Sequence, residues 1–198
     1  MAPAAPVQMV EPASRAGWRA WLHANHATSP GVRLVIHKKG SPTPNLSTAE
    51  AVEEALCFGW IDSTGRTLDE HRWALYLAPR KSGSGWSAVN KERIGRLQAA
   101  DLMRPAGQAR IDAAMQDGTW TKLDAVDALH LPADLVAALE AHAGAAMHWA
   151  AFPLTAKRAV LEWIVNAKTD ATRQKRVTQA AQKAARGERA NQWTRKAP

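Results

Sequence analysis

Apolar positions recur along this chain in two periods, and the changes between them mark its elements. Behind Ser14, an N-cap residue, Trp18, Trp21, Leu22 and Asn25 fall on one face of a helix that Thr28-Ser29-Pro30-Gly31 ends. Val32, Leu34 and Ile36 then alternate with Arg33, Val35 and His37, a strand signal. Ser47 and Glu50 frame the capping box S-T-A-E. The helix behind it carries Ala51, Val52, Ala55, Leu56 and Phe58 on its apolar side and stops at Gly59. WIDSTGRT (60–67) and RWALYLAP (from 72) read as two strands joined by LDEH, a hairpin that makes an antiparallel sheet of about three strands with 32–37. KSGSG (81–85) reads as a mobile loop, Ser87 caps a helix to about Ala100, and Pro105 opens another to about Gln116.

After a loop expected over 121–131 the pattern becomes Ala-rich and helical, with segments at 133–142, 145–151, 155–167 and 170–186. Leu135, Leu139, Trp149, Phe152, Val160, Leu161, Trp163 and Ile164 form its expected core. The fold class is therefore α+β, a small antiparallel sheet covered by helices and followed by a C-terminal helical unit. The expected divisions are a disordered Ala- and Pro-rich N-terminus (1–13), an α+β domain (14–128), the helical unit (129–187) and a basic tail (188–198).

Composition narrows the class. The chain is 46% hydrophobic, enough for a packed core, and carries nine Trp beside one Tyr and two Phe. A buried indole needs a partner for its N–H, so these rings are expected singly, at packing corners or lining a cleft. One cysteine excludes an internal disulfide and fits a reducing compartment. The first residues lack the basic start and apolar core of a secretory signal, and no apolar run approaches the roughly 20 residues of a membrane span. A cytoplasmic location is expected. The charge is lopsided: from Lys168 onward nine Lys and Arg stand against two acids, a net +7, which leaves +1 of the total +8 for the first 167 residues. This segment reads either as a solvated helix or as a nucleic-acid surface, with Arg173, Arg176 and Lys183 near one side and Trp193 stacking beyond them.

Standard catalytic signatures are absent: no phosphate loop, no G-x-S-x-G, no H-E-x-x-H and no cysteine pair. His23 and His26 share a helix face without a third ligand, so no metal is expected, and no cofactor is implied. The candidate site is the corner ALCFGWIDS (55–63) together with the hairpin and the loop-to-helix junction after it. Trp60 and Asp62 lie at the corner, Arg66, Arg72 and Arg80 lie on or beside the hairpin, and Ser84, Trp86, Ser87 and Asn90 lie at the junction. By strand alternation Trp60, Asp62 and Thr64 share a face, from which Asp62 can pair with an arginine. Free N–H groups behind Ser87 suit an anion. The site then binds a small anionic ligand, or uses Asp62 as a general acid or base. The alternative is purely architectural: core tryptophans and a buried Asp62–Arg80 pair. Cys57, at a helix C-terminus with no histidine nearby, reads as an inert core thiol.

LSTAEAVEEALCFGWIDS, APRKSGSGWSAVNKERIGRL and MRPAGQARIDAAMQDGTW resemble the YdeI or OmpD-associated proteins, the bacteriocin-protection family. WRAWLHANHATSPGVRLVIHKKG is similar to the family's opening helix and strand, and the stretch from LPADLVAALE to RQKRV to its C-terminal helical domain, so the resemblance spans roughly 14–187. It implies a role in surviving antimicrobial peptides or bacteriocins, porin association for some members, and no firmly attached reaction. The family's loop before W-S is more basic than the run Arg80–Gly85, and its W-I-D-G is W-I-D-S here, with Ser63.

Overall fold

The computed structural model describes residues 7–191. The chain divides into two compact units, Met1–Trp120 and Thr121–Pro198.

In the first unit, β1 (Met9–Val10), α1 (Arg15–Asn25), β2 (Val32–His37), α2 (Thr48–Cys57), β3 (Trp60–Thr67), β4 (Arg72–Pro79), α3 (Ala88–Ala99) and α4 (Pro105–Gln116) follow one another. The sheet order is β1-β2-β4-β3. β2 and β3 both run antiparallel to β4, as the alternation implies. The fourth strand is new. β1 pairs parallel with β2, Met9 opposite Arg33, inside the segment read as disordered. That reading fails for residues 7–13, and residues 1–6 lie outside the described residues. Two residues are too few to show a period, so only the partner strand reveals this one. Beyond β1 the edge of β2 is covered by a side chain: Asn45 Nδ2 donates to the Val35 carbonyl (2.9 Å) and its Oδ1 accepts from the His37 N–H (2.9 Å).

Core packing explains most of the tryptophans. Trp18, Trp60 and Trp86 are each at most 2% exposed. Trp18 Nε1 donates to the Ala51 carbonyl (3.0 Å) and Trp60 Nε1 to the His26 carbonyl (3.2 Å). The polar handle is satisfied by backbone in both cases. A charge is buried too. Glu54, 3% exposed, accepts from Arg15 Nε (2.6 Å) and Arg19 Nη1 (2.5 Å), which clamps α2 to α1. Two partly exposed arginines on one buried carboxylate keep it from being an isolated buried ion.

The capping box forms as expected, with the Ser47 side chain accepting from the Glu50 N–H. Ser47→Ala should cost about 1 kcal/mol, read as a lower urea midpoint. The Ser47 backbone and hydroxyl hold the Glu50 carboxyl below its ordinary 4.5. A carboxyl depressed in the folded state stabilises above its unfolded value and loses that as pH falls through the folded one. The gap between wild type and variant should therefore close in acid, and equal midpoints at neutral pH would count against the cap.

The turn after α2 is set by two close approaches. Gly59 has φ +75°, and a Cβ there would lie 2.7 Å from Arg110 Cγ and 3.0 Å from the Ala106 carbonyl oxygen. A Cβ on Gly107 would lie 2.3 Å from the Cys57 carbonyl oxygen. That oxygen also accepts from the Arg104 N–H (3.1 Å). α4 thus packs backbone to backbone against the end of α2 and brings Arg110 beside the corner.

The second unit holds α5 (Asp124–Asp127), α6 (Ala133–Glu140), α7 (Ala145–Ala151), α8 (Leu154–Val165) and α9 (Asp170–Ala185). α5 is a single turn inside the expected loop. The core is the expected one, extended by Leu123, Val126, Val177, Ala180, Ala181 and Ala184, with Phe152 and Trp163 packed on it half-buried. Ala190, in the stretch read as a tail, is 2% exposed. No helix among the described residues is long and apolar enough to cross a membrane.

Candidate functional site

The expected site residues do not converge on one place. Trp60 is a core ring, edge-on to Trp21 at 5.9 Å. The face shared by Trp60, Asp62 and Thr64 is broken, because a bulge between Asp62 and Gly65 shifts the register against β4. Gly65 is needed there: a Cβ on it would meet the Trp73 ring at 2.6 Å. Arg66 is exposed on β3. Arg72 opens β4 and is tied to Asp69 (2.8 Å) and Glu11 (3.1 Å). Arg80 lies eight residues along that strand, roughly 26 Å away at strand rise, so Arg72 and Arg80 do not share a site.

What remains together is the junction from Arg80 to Trp86, backed by α4. Arg80 follows β4, and its N–H donates to the Gly59 carbonyl (2.9 Å), which fixes the chain at the α2 corner. Its side chain, 5% exposed, lies over the Trp86 ring, with Cζ 3.7 Å from the ring centroid. Nη2 donates to the Gly85 carbonyl (2.6 Å). Nε is buried with no hydrogen-bond partner among the described residues. Trp86 packs on Trp120 at 5.2 Å, and Lys91 lies over Trp120 at 5.3 Å, so two indoles are flanked by two cations. The expected Asp62–Arg80 ion pair is not formed. Asp62 is half-buried and acts on Arg80 only through its field. Burial pulls the Arg80 guanidinium down to about 10, and the Asp62 carboxylate opposes that fall. Arg80 is charged at neutral pH.

Beside Arg80 lies a recess of about 60 Å³. Lys81 and Ser84 line it from the loop, Trp86 lines it from the junction, and Arg110, Asp117 and Thr119 line it from α4 and the turn beyond. Lys81 and Arg110 are exposed and have no ion-pair partner among the described residues. Asp117 is occupied: its Oδ1 accepts from the Thr119 N–H (2.9 Å) and hydroxyl (2.5 Å), bonds that hold the carboxyl below its ordinary value. Sequence proximity pointed to Arg80, Ser84 and Trp86. Arg110, Asp117 and Thr119 were missed because they come from a different element. The available signal was Gly107, a glycine inside a helix, which marks a close approach.

Ser87 and Asn90 serve the start of α3. The Ser87 hydroxyl accepts from the Asn90 N–H (3.4 Å), and Asn90 Oδ1 accepts from Arg93 Nη1 (2.9 Å). The free N–H groups expected there are capped in part, and neither residue lines the recess. Burial pushes the Cys57 thiol up, against a hydrogen bond from Arg19 that pulls it down, which makes it a poor nucleophile. His26 Nδ1 contacts the Leu22 carbonyl (2.9 Å), and its ring packs on Phe58. No cluster of three His, Cys, Asp or Glu among the described residues is placed to hold a metal.

In the second unit the basic helix is largely engaged. Arg173 grips Asp134 through Nε (2.7 Å) and Nη2 (3.0 Å). Arg176 lies over the Trp163 ring and donates to the Trp163 carbonyl. Lys183 Nζ is 4.0 Å from Glu188. Trp193 lies outside the described residues.

Two family models match this chain. It belongs to the family described as a domain of unknown function (DUF8412), whose model matches residues 10–110, just over half its length. Residues 128–187 match the family described as bacteriocin-protection, YdeI or OmpD-associated. The resemblance read over 14–187 is thus shown in the helical unit, whereas the ALCFGWIDS corner and Arg80 fall within the other match. No curated protein and no solved structure matches the chain.

Proposed function

We propose that the first unit is a receptor for a small anion, with Arg80 as its buried recognition group, in a cytoplasmic protein of stress or antimicrobial resistance. The observation that carries this reading is the Arg80 Nε, buried without a hydrogen-bond partner among the described residues, in a side chain that lines a recess rimmed by two further cations. A buried polar group without a bond costs about 1–3 kcal/mol, more for a charged one. An anion in the recess that Arg80 lines offsets part of that cost through its charge. The family match of 128–187 supports the resistance role, and a lone buried thiol fits a reducing compartment. The nucleic-acid reading has less support, since Arg173, Arg176 and Lys183 already have partners within their own unit. An enzyme using Asp62 has less support, since Asp62 is half-buried on β3 and does not line the recess.

Thermal unfolding followed by Trp fluorescence, against small anions and their neutral analogues at two salt concentrations, tests this. One or a few small anions should stabilise the protein, by about 2.7 kcal/mol at a hundredfold excess over Kd, and added salt should change this little. A response to polyanions alone, lost at high salt, would move binding away from Arg80.

A further inference from the structure

We infer that the recess at Arg80 selects a terminal phosphoryl group, held as its dianion, with the rest of the ligand in solvent. The inference rests on the anion reading of this site and adds the class. Size is the first argument. The recess is small, about 60 Å³, which suits one oxyanion head with the remainder of a ligand outside it. Charge is the second. Arg80, Lys81 and Arg110 face the space with one carboxylate, Asp117, so the lining carries a net +2. A carboxylate leaves half of that uncompensated, whereas a phosphoryl dianion matches it.

Geometry is the third argument. The donors come from separate directions: Arg80 behind the recess, Lys81 and the Ser84 hydroxyl on the loop, and Arg110 on α4. A planar carboxylate presents two oxygens in one plane and is best met by one bidentate fork. That fork is compromised, because Arg80 Nη2 already donates to the Gly85 carbonyl. A tetrahedral head with three terminal oxygens uses donors from three sides.

The test titrates the full chain with methyl phosphate, inorganic phosphate, sulfate and acetate, by calorimetry at pH 5.5 and 7.5. Methyl phosphate should bind at least tenfold more tightly than acetate. Its affinity should rise about fourfold between the two pH values, because the second ionisation lies near 6. Sulfate, a dianion throughout, should bind with unchanged affinity. Tighter binding of methyl phosphate than of inorganic phosphate identifies an ester as the ligand; equal or weaker binding identifies the free ion. Acetate binding as well as methyl phosphate, or sulfate gaining the same fourfold, would overturn the phosphoryl class while leaving the anion receptor standing. Failure of all four anions to bind would remove both.

Discussion

Gly107→Ala should be the most damaging single-methyl change in the first unit. The added Cβ would lie 2.3 Å from the Cys57 carbonyl oxygen, 2.7 Å from its carbon and 2.8 Å from the Leu56 carbonyl oxygen. All three are backbone atoms at the end of a helix, so no side chain can swing aside. Overpacking of this kind typically costs 1–3 kcal/mol, and the rigid neighbours put it at about 3 kcal/mol or more. The melting temperature should fall by on the order of 10 °C. Gly95→Ala is the matched control. Gly95 is exposed within α3, with nothing inside 4 Å of its Cβ position. That substitution should raise stability by about 0.5–1 kcal/mol through helix propensity and a less flexible unfolded chain. Equal melting temperatures for wild type and Gly107→Ala would show that α4 does not press on the α2 corner, and Arg110 would lose its placement at the recess.

Arg80→Met should separate binding from folding. Methionine fills much of the same volume against Trp86 and deletes the buried, unpartnered Nε. Replacing a buried charge by an apolar side chain is often neutral or stabilising. Here the gain is set against the lost Gly85 bond and the lost stacking on the indole, about 1–2 kcal/mol for a desolvated pair. Stability should move by no more than about 1 kcal/mol while anion affinity drops at least tenfold. The pH dependence has a definite sign. Burial holds the folded-state pKa near 10, below the ordinary guanidinium range, so the charged form costs stability throughout the neutral range. That cost fades as pH rises above about 10 toward the unfolded-state value. Anion affinity should fall over the same rise. An Arg80→Met protein that fails to fold would make Arg80 architectural.

Local patterns carried most of the fold and only half of the site. The S-T-A-E box, the alternation of Val32, Leu34 and Ile36, and the stop at Gly59 are written within a few residues of where they act. β1 is not, because its pairing depends on β2 more than twenty residues away. Trp60 shows the limit of proximity: three residues after Cys57 it enters the core, and its N–H is spent on the His26 carbonyl. The face assigned to Asp62 assumed unbroken alternation, and a bulge between Asp62 and Gly65 ended it, with the glycine inside the strand as its one local sign. Arg72 and Arg80 were grouped because both flank one strand, although its eight residues already put them at opposite ends. Glu54 has the residue type of a solvent-facing helix position, yet it is 3% exposed because Arg15 and Arg19 come to it from α1. Arg110, thirty residues beyond Arg80, reaches the recess through a helix contact that only Gly107 hinted at.

The most direct measurement is nitrogen–proton NMR of arginine side chains, with the Arg80 Nε–H assigned by comparison with Arg80→Met. In the free protein this buried proton should exchange slowly and lack the shift of a strong hydrogen bond. On titration with methyl phosphate it should move downfield, ahead of the Nε–H signals of Arg66 and Arg72. An Arg80 signal that stays fixed while phosphate shifts resonances elsewhere would contradict an anion site at Arg80.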